Sequence, residues 1–253
     1  MLFVKVLCYI FFGVEIGGIY GNIGNRNIRG DKMITYKDVR ENNEIATYIR
    51  MADKTMESMR FTEHSFAHVV KCADMCRYIL TELGYDQRTV ELAQIAAYMH
   101  DIGNAINRID HAQSGAVMAF RLLEKMGMEA EEISRIITAI GNHDEKTAFP
   151  VNEIAAALIL ADKTDVRRSR VRKEEVATIA EDIHDRVNYA VEKASFVLDK
   201  DKKAFVLSIE IDENISSVAE YFEIFHDRMQ LCMRASKHFG MKFEVNMDGM
   251  KVM

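Results

Sequence analysis

Residues 92–103 read Leu92-Ala93-Gln94-Ile95-Ala96-Ala97-Tyr98-Met99-His100-Asp101-Ile102-Gly103. Leu92, Ile95, Ala96 and Met99 recur at helical spacing, so the stretch reads as a buried helix that ends on a histidine and an aspartate. An imidazole and a carboxylate at the end of such a run are costly to bury unless a metal or a partner neutralises them. His68, His111, His143 and Asp162 extend the set over helix-like sequence from position 68 to position 162. Side chains of these types on several helices can converge in a bundle interior, and a carboxylate beside a histidine can bridge two divalent ions. A lone histidine on an apolar face is usually a satisfied core residue. Six such positions in one chain point to a metal centre instead.

Outward from this stretch the pattern stays helical. The one proline is Pro150, and helices are expected over Asn42–Ser58, His64–Leu83, Gln87–His100, Ala112–Met126, Glu129–Asn142, Val151–Thr164 and Lys173 to about Lys193. Gly84, Gly103, Gly127 and Gly141 fall at helix ends, where C-terminal caps belong. Phe196–Leu198 and Phe205–Ile211 switch to alternation around Asp199-Lys200-Asp201-Lys202-Lys203 and read as a hairpin. A helix over Ser216–Phe239 and short strands at Lys242–Val245 and Met250–Val252 complete the tail. The expected fold is mainly α, divided into an N-terminal extension at 1–32, a helical domain at 33–194 and a small α+β region at 195–253.

Composition suits a globular enzyme: 253 residues, 49% hydrophobic, can fill a sizeable core. A net charge of -6 and a pI near 5.8 argue against sequence-independent binding to nucleic acid or an anionic membrane. Cys8, Cys72, Cys76 and Cys232 form no CxxC pair and no disulfide scaffold, which fits a reducing, cytoplasmic setting. Cys72 and Cys76, one helical turn apart beside Ala73 and Ile79, read as core. The uninterrupted apolar core of the N-terminal segment, Val6–Val14, is too short to span a bilayer. No strand, Lys-Ser/Thr pair or βαβ unit follows Gly17, Gly18, Gly21 and Gly24, so they are not read as a phosphate loop. Arg29-Gly30-Asp31-Lys32-Met33 can be encoded as AGG GGA GAY AAR ATG, a purine-rich ribosome-binding sequence with a start codon. The native chain is therefore expected to begin at Met33, with residues 1–32 non-native or disordered.

Spacing assigns chemistry to the candidates. His64 and His68 are four apart and are expected to share one helix face, with Cys72 and Cys76 continuing a buried stripe below His68. His111 stands at the entrance of a helix and His143 just past the end of another, while Asp162 closes the apolar run Ala155–Ala161. The basic run Arg167, Arg168, Arg170, Arg172 and Lys173 begins five residues after Asp162. Arginine forks suit bidentate phosphate contacts. Arg168 is expected to turn back over the centre and Arg172 to face solvent. His184-Asp185 is a candidate pocket edge, whereas His226-Asp227-Arg228 reads as a solvated helix face.

The order His68, His100-Asp101, His111, His143, Asp162 resembles the signature of the HD superfamily of metal-dependent phosphohydrolases. The resemblance is most specific at His100-Asp101-Ile102-Gly103 and Leu160-Ala161-Asp162, and it covers roughly Thr62–Arg172. Residues 33–253 also look like a prokaryotic HD-domain family of about this length, through Thr62-Glu63-His64-Ser65, Asp110-His111-Ala112-Gln113-Ser114-Gly115, Ala139-Ile140-Gly141-Asn142-His143-Asp144-Glu145 and the segments from Ala161 and Ile183. The resemblance implies a five-helix HD-type metal core. His68, His100, Asp101 and Asp162 would hold one divalent ion, and Asp101 would bridge to a second held by His111 and His143. Mixed imidazole and carboxylate donors favour Mn²⁺ or Fe²⁺ over Mg²⁺, Ni²⁺, Co²⁺ or Zn²⁺.

The activity implied is hydrolysis of a small phosphorylated substrate of nucleotide type, at a monoester, diester or anhydride. Asp101, Asp144 and His64 are the catalytic candidates, and Arg168, Arg167, Asn104 and Lys163 are the substrate contacts. Asn104 stands where many relatives carry Lys. No Gly-Tyr-Pro follows His143, which weighs against a cyclic-di-GMP phosphodiesterase, and the Glu-Asp pair of alarmone hydrolases is missing. Two other classes carry related ligand sets: an HD-type di-iron oxygenase and a non-catalytic nucleotide sensor. The sequence leaves a homo-oligomer open.

Overall fold

A computed structural model describes residues 33–172 and 183–253. Residues 1–32, expected as an extension, and 173–182, expected in a helix, lie outside the described residues. Helices α1 (Tyr36–Arg40), α2 (Asn43–Ser58), α3 (Phe66–Glu82) and α4 (Gln87–Met99) lead through a 3₁₀ turn at Ile102–Ala105 into α5 (His111–Met126). Next come α6 (Ala130–Gly141), α7 (Glu153–Lys163), a 3₁₀ turn at Arg168–Arg170 and α8 (Ile183–Ala190). Strands β1 (Val191–Asp199) and β2 (Ala204–Ile211), helix α9 (Val218–His238), and strands β3 (Lys242–Met247) and β4 (Met250–Lys251) complete the chain. Residues 34–253 form one compact unit.

Two helices are buried on every side. In α4 each residue from Leu92 to Met99 is buried, and in α7 each from Ile154 to Lys163. Helices that are apolar all round belong at the centre of a bundle. Here α3 packs on both, α6 covers both from another side, and α9 lies against α7. Each central helix carries an apolar run, from Ile95 to Met99 in α4 and from Ile154 to Ala161 in α7, up to its C-terminal end, where His100-Asp101 and Asp162-Lys163 sit. The fold thus delivers its most polar groups to its driest place.

Helix boundaries agree with the sequence expectation to within a residue or two at most ends, and the differences have local causes. His64 precedes the first turn of α3, because Ser65 caps it by accepting from the Ala67 amide. His64 and His68 therefore do not share a helix face, although their rings remain 5.8 Å apart. The helix expected to reach Lys193 stops at Ala190. Val191 already begins β1, paired opposite Ile211.

Strands β1 and β2 form the expected hairpin, closed at Asp199 and Ala204. Strand β3 pairs parallel to β2, and α9 is the crossover that parallel pairing requires. Asp248 (φ 48°) and Gly249 (φ 80°) make the tight turn from β3 to β4. The Tyr78 hydroxyl accepts from the Leu198 amide at 3.1 Å, tying the sheet to α3. Among the described residues no helix is long and apolar enough to cross a membrane.

Gly84 and Gly127 take the left-handed conformation of helix caps, with φ 81° and 89°. Gly103 does not. It lies inside the 3₁₀ turn, where a Cβ would strike the His111 carbonyl oxygen and come within 2.5 Å of the Gly115 nitrogen. The glycine lets the turn after Asp101 touch the start of α5 and so fixes the spacing of Asp101 and His111. Gly103→Ala is expected to cost about 1–3 kcal/mol by overpacking against backbone. Gly84→Ala meets nothing within 4 Å and should cost about 1 kcal/mol, the left-handed strain alone. Thermal denaturation of both variants checks this, and metal binding should fall only in Gly103→Ala.

Candidate metal centre

Five helices and their ends supply the candidate ligands. His68 comes from α3, His100 caps the end of α4 with Asp101 next to it, and His111 opens α5. His143 follows α6 and Asp162 lies in the last turn of α7. Asp110, at φ 56°, makes the left-handed turn that aims α5, a conformation that aspartate tolerates. All six candidate ligands are at most 9% exposed.

Each imidazole is oriented by its far nitrogen. His68 Nδ1 is 2.8 Å from Asp165 Oδ2, His100 Nδ1 2.7 Å from the Ala97 carbonyl, His111 Nδ1 3.0 Å from the Arg108 carbonyl and His143 Nδ1 2.6 Å from the Ile140 carbonyl. These oxygens can only accept, so Nδ1 carries the proton and Nε2 of each ring, when neutral, presents a lone pair, which at His111 meets Arg108 Nη1 at 3.3 Å. Every Nε2 points inward. His111 and His143 bring theirs within 3.1 Å of each other, and His100 Nε2 is buried without a hydrogen-bond partner. Facing lone pairs repel unless a cation lies among them, so the donor set fits a metal.

The two oxygens of Asp101 divide the centre. Oδ2 lies 3.2 Å from His100 Nε2 and 3.7 Å from His68 Nε2, while Oδ1 lies 3.6 Å from His111 Nε2 and 3.9 Å from His143 Nε2. Asp162 Oδ1 joins the first half, 3.3 Å from His68 Nε2 and 3.8 Å from His100 Nε2. Two of the groups that could hold an ion follow this division, His68, His100 and Asp101 on one side and Asp101, His111 and His143 on the other, while a third, His100, His143 and Asp162, spans both halves. Cys72 also approaches His68 and Asp162, but burial pushes its thiol pKa well up and keeps it protonated.

Charge states suit ligation. Burial, reinforced by neighbouring histidines, holds His143 well below the usual imidazole range and also lowers His111, whereas at His100 burial is outweighed by the Asp101 and Asp162 carboxylates, which raise it. Burial opposes charge on Asp101, yet His100 and the surrounding imidazoles outweigh it and keep the carboxyl well below its ordinary value. Asp162 is likewise held down against burial, chiefly by Lys163. Neutral imidazoles and ionised carboxylates are the forms that bind metal.

The remaining candidates take supporting places. Asn104 donates to Asp101 Oδ1 at 2.9 Å, and Lys163, 5% exposed, sits 2.7 Å from Asp162 Oδ2. Arg167 is tied to Asp165 and Glu63. Half-buried Asp144 lies within electrostatic reach of His111. Buried His64 donates Nδ1 to the Thr62 carbonyl at 2.6 Å, beside His68. Arg168 does not turn back over the centre: Nε donates to the Tyr189 carbonyl at 2.5 Å and the guanidinium stacks 4.8 Å above the Tyr189 ring. Arg172 does not face solvent, because it binds Asp53 at 2.7 Å. His184 is exposed and Asp185 buried, while His226 and Asp227 lie on the solvated face.

Several site residues are not evident from the sequence. Asp165, three positions after Asp162, holds His68 and is itself held by Lys71 at 2.6 Å. Its spacing was the available signal. Arg228 turns inward from α9, binds Glu145 at 2.8 Å and stacks on Phe225. Glu145 stands 3.7 Å from Lys163, so a line of alternating charges runs from the tail helix to Asp162.

Removing the acceptor behind His68 frees the ring to rotate. Asp165→Ala should weaken metal binding about 10–100-fold, while Asp165→Asn, which keeps an acceptor, should lose less. Titration of metal into apo protein reads both, and His226→Ala should match the parent chain.

Residues 65–224 match the HD domain family. A ribonuclease Y of Rubrobacter xylanophilus is 28% identical over 169 residues, which cover 64% of this chain and 31% of that protein. A ribonuclease Y of Oleidesulfovibrio alaskensis is 33% identical over 116 residues, 45% of this chain and 20% of that one. The chain thus spans less than a third of the length of these relatives. An uncharacterised protein of Methanocaldococcus jannaschii is 23% identical over 220 residues, covering 78% of this chain and 82% of its own. The crystal structure of a predicted HD superfamily hydrolase from an uncultured Thermotogales bacterium is 26% identical, covering 55% of this chain and 73% of that one at a TM-score of 0.40. Since the family match runs through well over half of the chain and contains every candidate ligand of the centre, the protein belongs to the HD domain family.

Proposed function

We propose that this protein is a metal-dependent phosphohydrolase that cleaves a phosphoester or phosphoanhydride of a small, nucleotide-type substrate. The observation that carries the reading is the division of Asp101, one oxygen toward His68 and His100 and the other toward His111 and His143. A single ion would need only one of these faces. Two divalent ions, held by His68, His100, Asp101 and Asp162 on one side and by Asp101, His111 and His143 on the other, would acidify a water and offset charge on the phosphoryl oxygens.

The chain's own groups supply the rest. Asn104 fixes the Asp101 carboxylate so that neither oxygen can swing away, and Lys163 keeps Asp162 ionised. His64 has its Nδ1 proton committed to Thr62 and is kept neutral by burial, so its Nε2 can accept a proton from the attacking water. Asp144, half-buried and within electrostatic reach of His111, would pass a proton from solvent to the leaving oxygen. The ribonuclease Y similarity is consistent with a phosphodiester as the bond cleaved.

The test is metal analysis of anaerobically purified protein, followed by a panel of phosphomonoesters, phosphodiesters and nucleoside polyphosphates. Two ions per chain and hydrolysis of at least one class are expected. Asp101→Ala should lose metal and lower hydrolysis by about three orders of magnitude or more. Full activity in Asp101→Ala, or turnover that requires dioxygen, would contradict the reading.

A further inference from the structure

Apart from Arg108, the arginines around the centre are engaged elsewhere. Arg167 is bound to Asp165 and Glu63, and Arg168 to Tyr189. Arg170 is bound to the Glu63 and Asp165 carbonyls, Arg172 to Asp53 and Arg228 to Glu145. Arg108 differs. Among the described residues no carboxylate pairs with it, and its Nη1 makes two long contacts, 3.3 Å to His111 Nε2 and 3.4 Å to Asn104 Oδ1. Both partners belong to the centre. Through Asn104 the contact continues to Asp101 Oδ1.

Its location is also distinctive. Arg108 lies in the short link between the 3₁₀ turn and α5, flanked by Ile106 and Ile109, which are 65% and 75% exposed. The side chain is half-buried, with its guanidinium 5.9 Å from the Phe61 ring. It stands where the His111–His143 half of the centre meets the surface.

The contact with His111 uses the same Nε2 lone pair that a metal would take. Once that lone pair is coordinated, Arg108 keeps only Asn104 and has most of its five N–H donors unused. We propose that Arg108 receives the phosphoryl oxygens of the substrate at the His111–His143 half of the centre, the role that sequence spacing had suggested for Arg168. This rests on the phosphohydrolase reading. An anion held there meets a planar fork that can bind two of its oxygens, which an ammonium group cannot reproduce.

The experiment uses inorganic phosphate as the probe on metal-loaded full-length protein. Arg108→Gln, Arg108→Lys and Arg168→Gln are compared with Arg121→Gln, a surface control whose side chain is 72% exposed. Metal content, phosphate affinity by calorimetry, and kcat/KM on a substrate from the panel are read for each. Arg108→Gln is expected to keep its metal and to lose about 10–100-fold in phosphate affinity and in kcat/KM, the worth of one charge-assisted contact. Arg108→Lys should recover part of the loss and Arg121→Gln should match the parent.

Unchanged phosphate affinity in Arg108→Gln would overturn the proposal, as would metal loss in that variant, transfer of the effect to Arg168→Gln, or absence of phosphate binding by the parent chain. If no phosphorylated compound is hydrolysed but Arg108→Gln still weakens phosphate binding, the anion site stands and the proposed reaction falls.

Discussion

The structure depends on four imidazole lone pairs that face one another across two carboxylates in a dry interior. Each Nδ1 is hydrogen-bonded to an oxygen, so none of the neutral rings can supply a proton inward. The 3.1 Å approach of His111 and His143 concentrates this constraint in a single pair of atoms. A cation held among them would relieve the repulsion, and the surrounding architecture keeps the lone pairs in place. The central helices α4 and α7 carry the candidate ligands inward, and Gly103 lets the next turn close on α5.

Around the ligands lies a ring of groups that act through them. Asp165 aligns His68 and is itself gripped by Lys71 and Arg167. Lys163 neutralises Asp162 and is linked through Glu145 to Arg228 on α9. This gives the small α+β tail a physical connection to the centre as well as a packing role. Burial works against every charge in the ring, and pairing offsets that cost.

Much of this was legible in the sequence because period and composition speak directly to it. The apolar runs ending in His100-Asp101 and Asp162 marked both the central helices and the polar residues that converge at their ends, and alternation around residues 199–203 marked the hairpin. Periodicity assigns a residue to a face but does not name the neighbour across from it. Arg228 therefore looked solvated beside His226 and Asp227, although α9 turns it toward Glu145. The aim of Arg168 was out of reach for a related reason: it lies in a 3₁₀ turn whose direction is set by contact with Tyr189. Gly103 read as a cap because helix-end glycines usually are, whereas its role is close approach to a backbone distant in sequence.

The account turns on whether Asp101 is shared between two metal ions. Anomalous diffraction at the manganese edge, on crystals of the Mn²⁺-loaded protein, measures this directly. The expected result is two peaks per chain, one beside His68, His100 and Asp162 and the other beside His111 and His143, with a different Asp101 oxygen on each. A single peak with Asp101 contributing one oxygen, or ions bound away from these six residues, would contradict it.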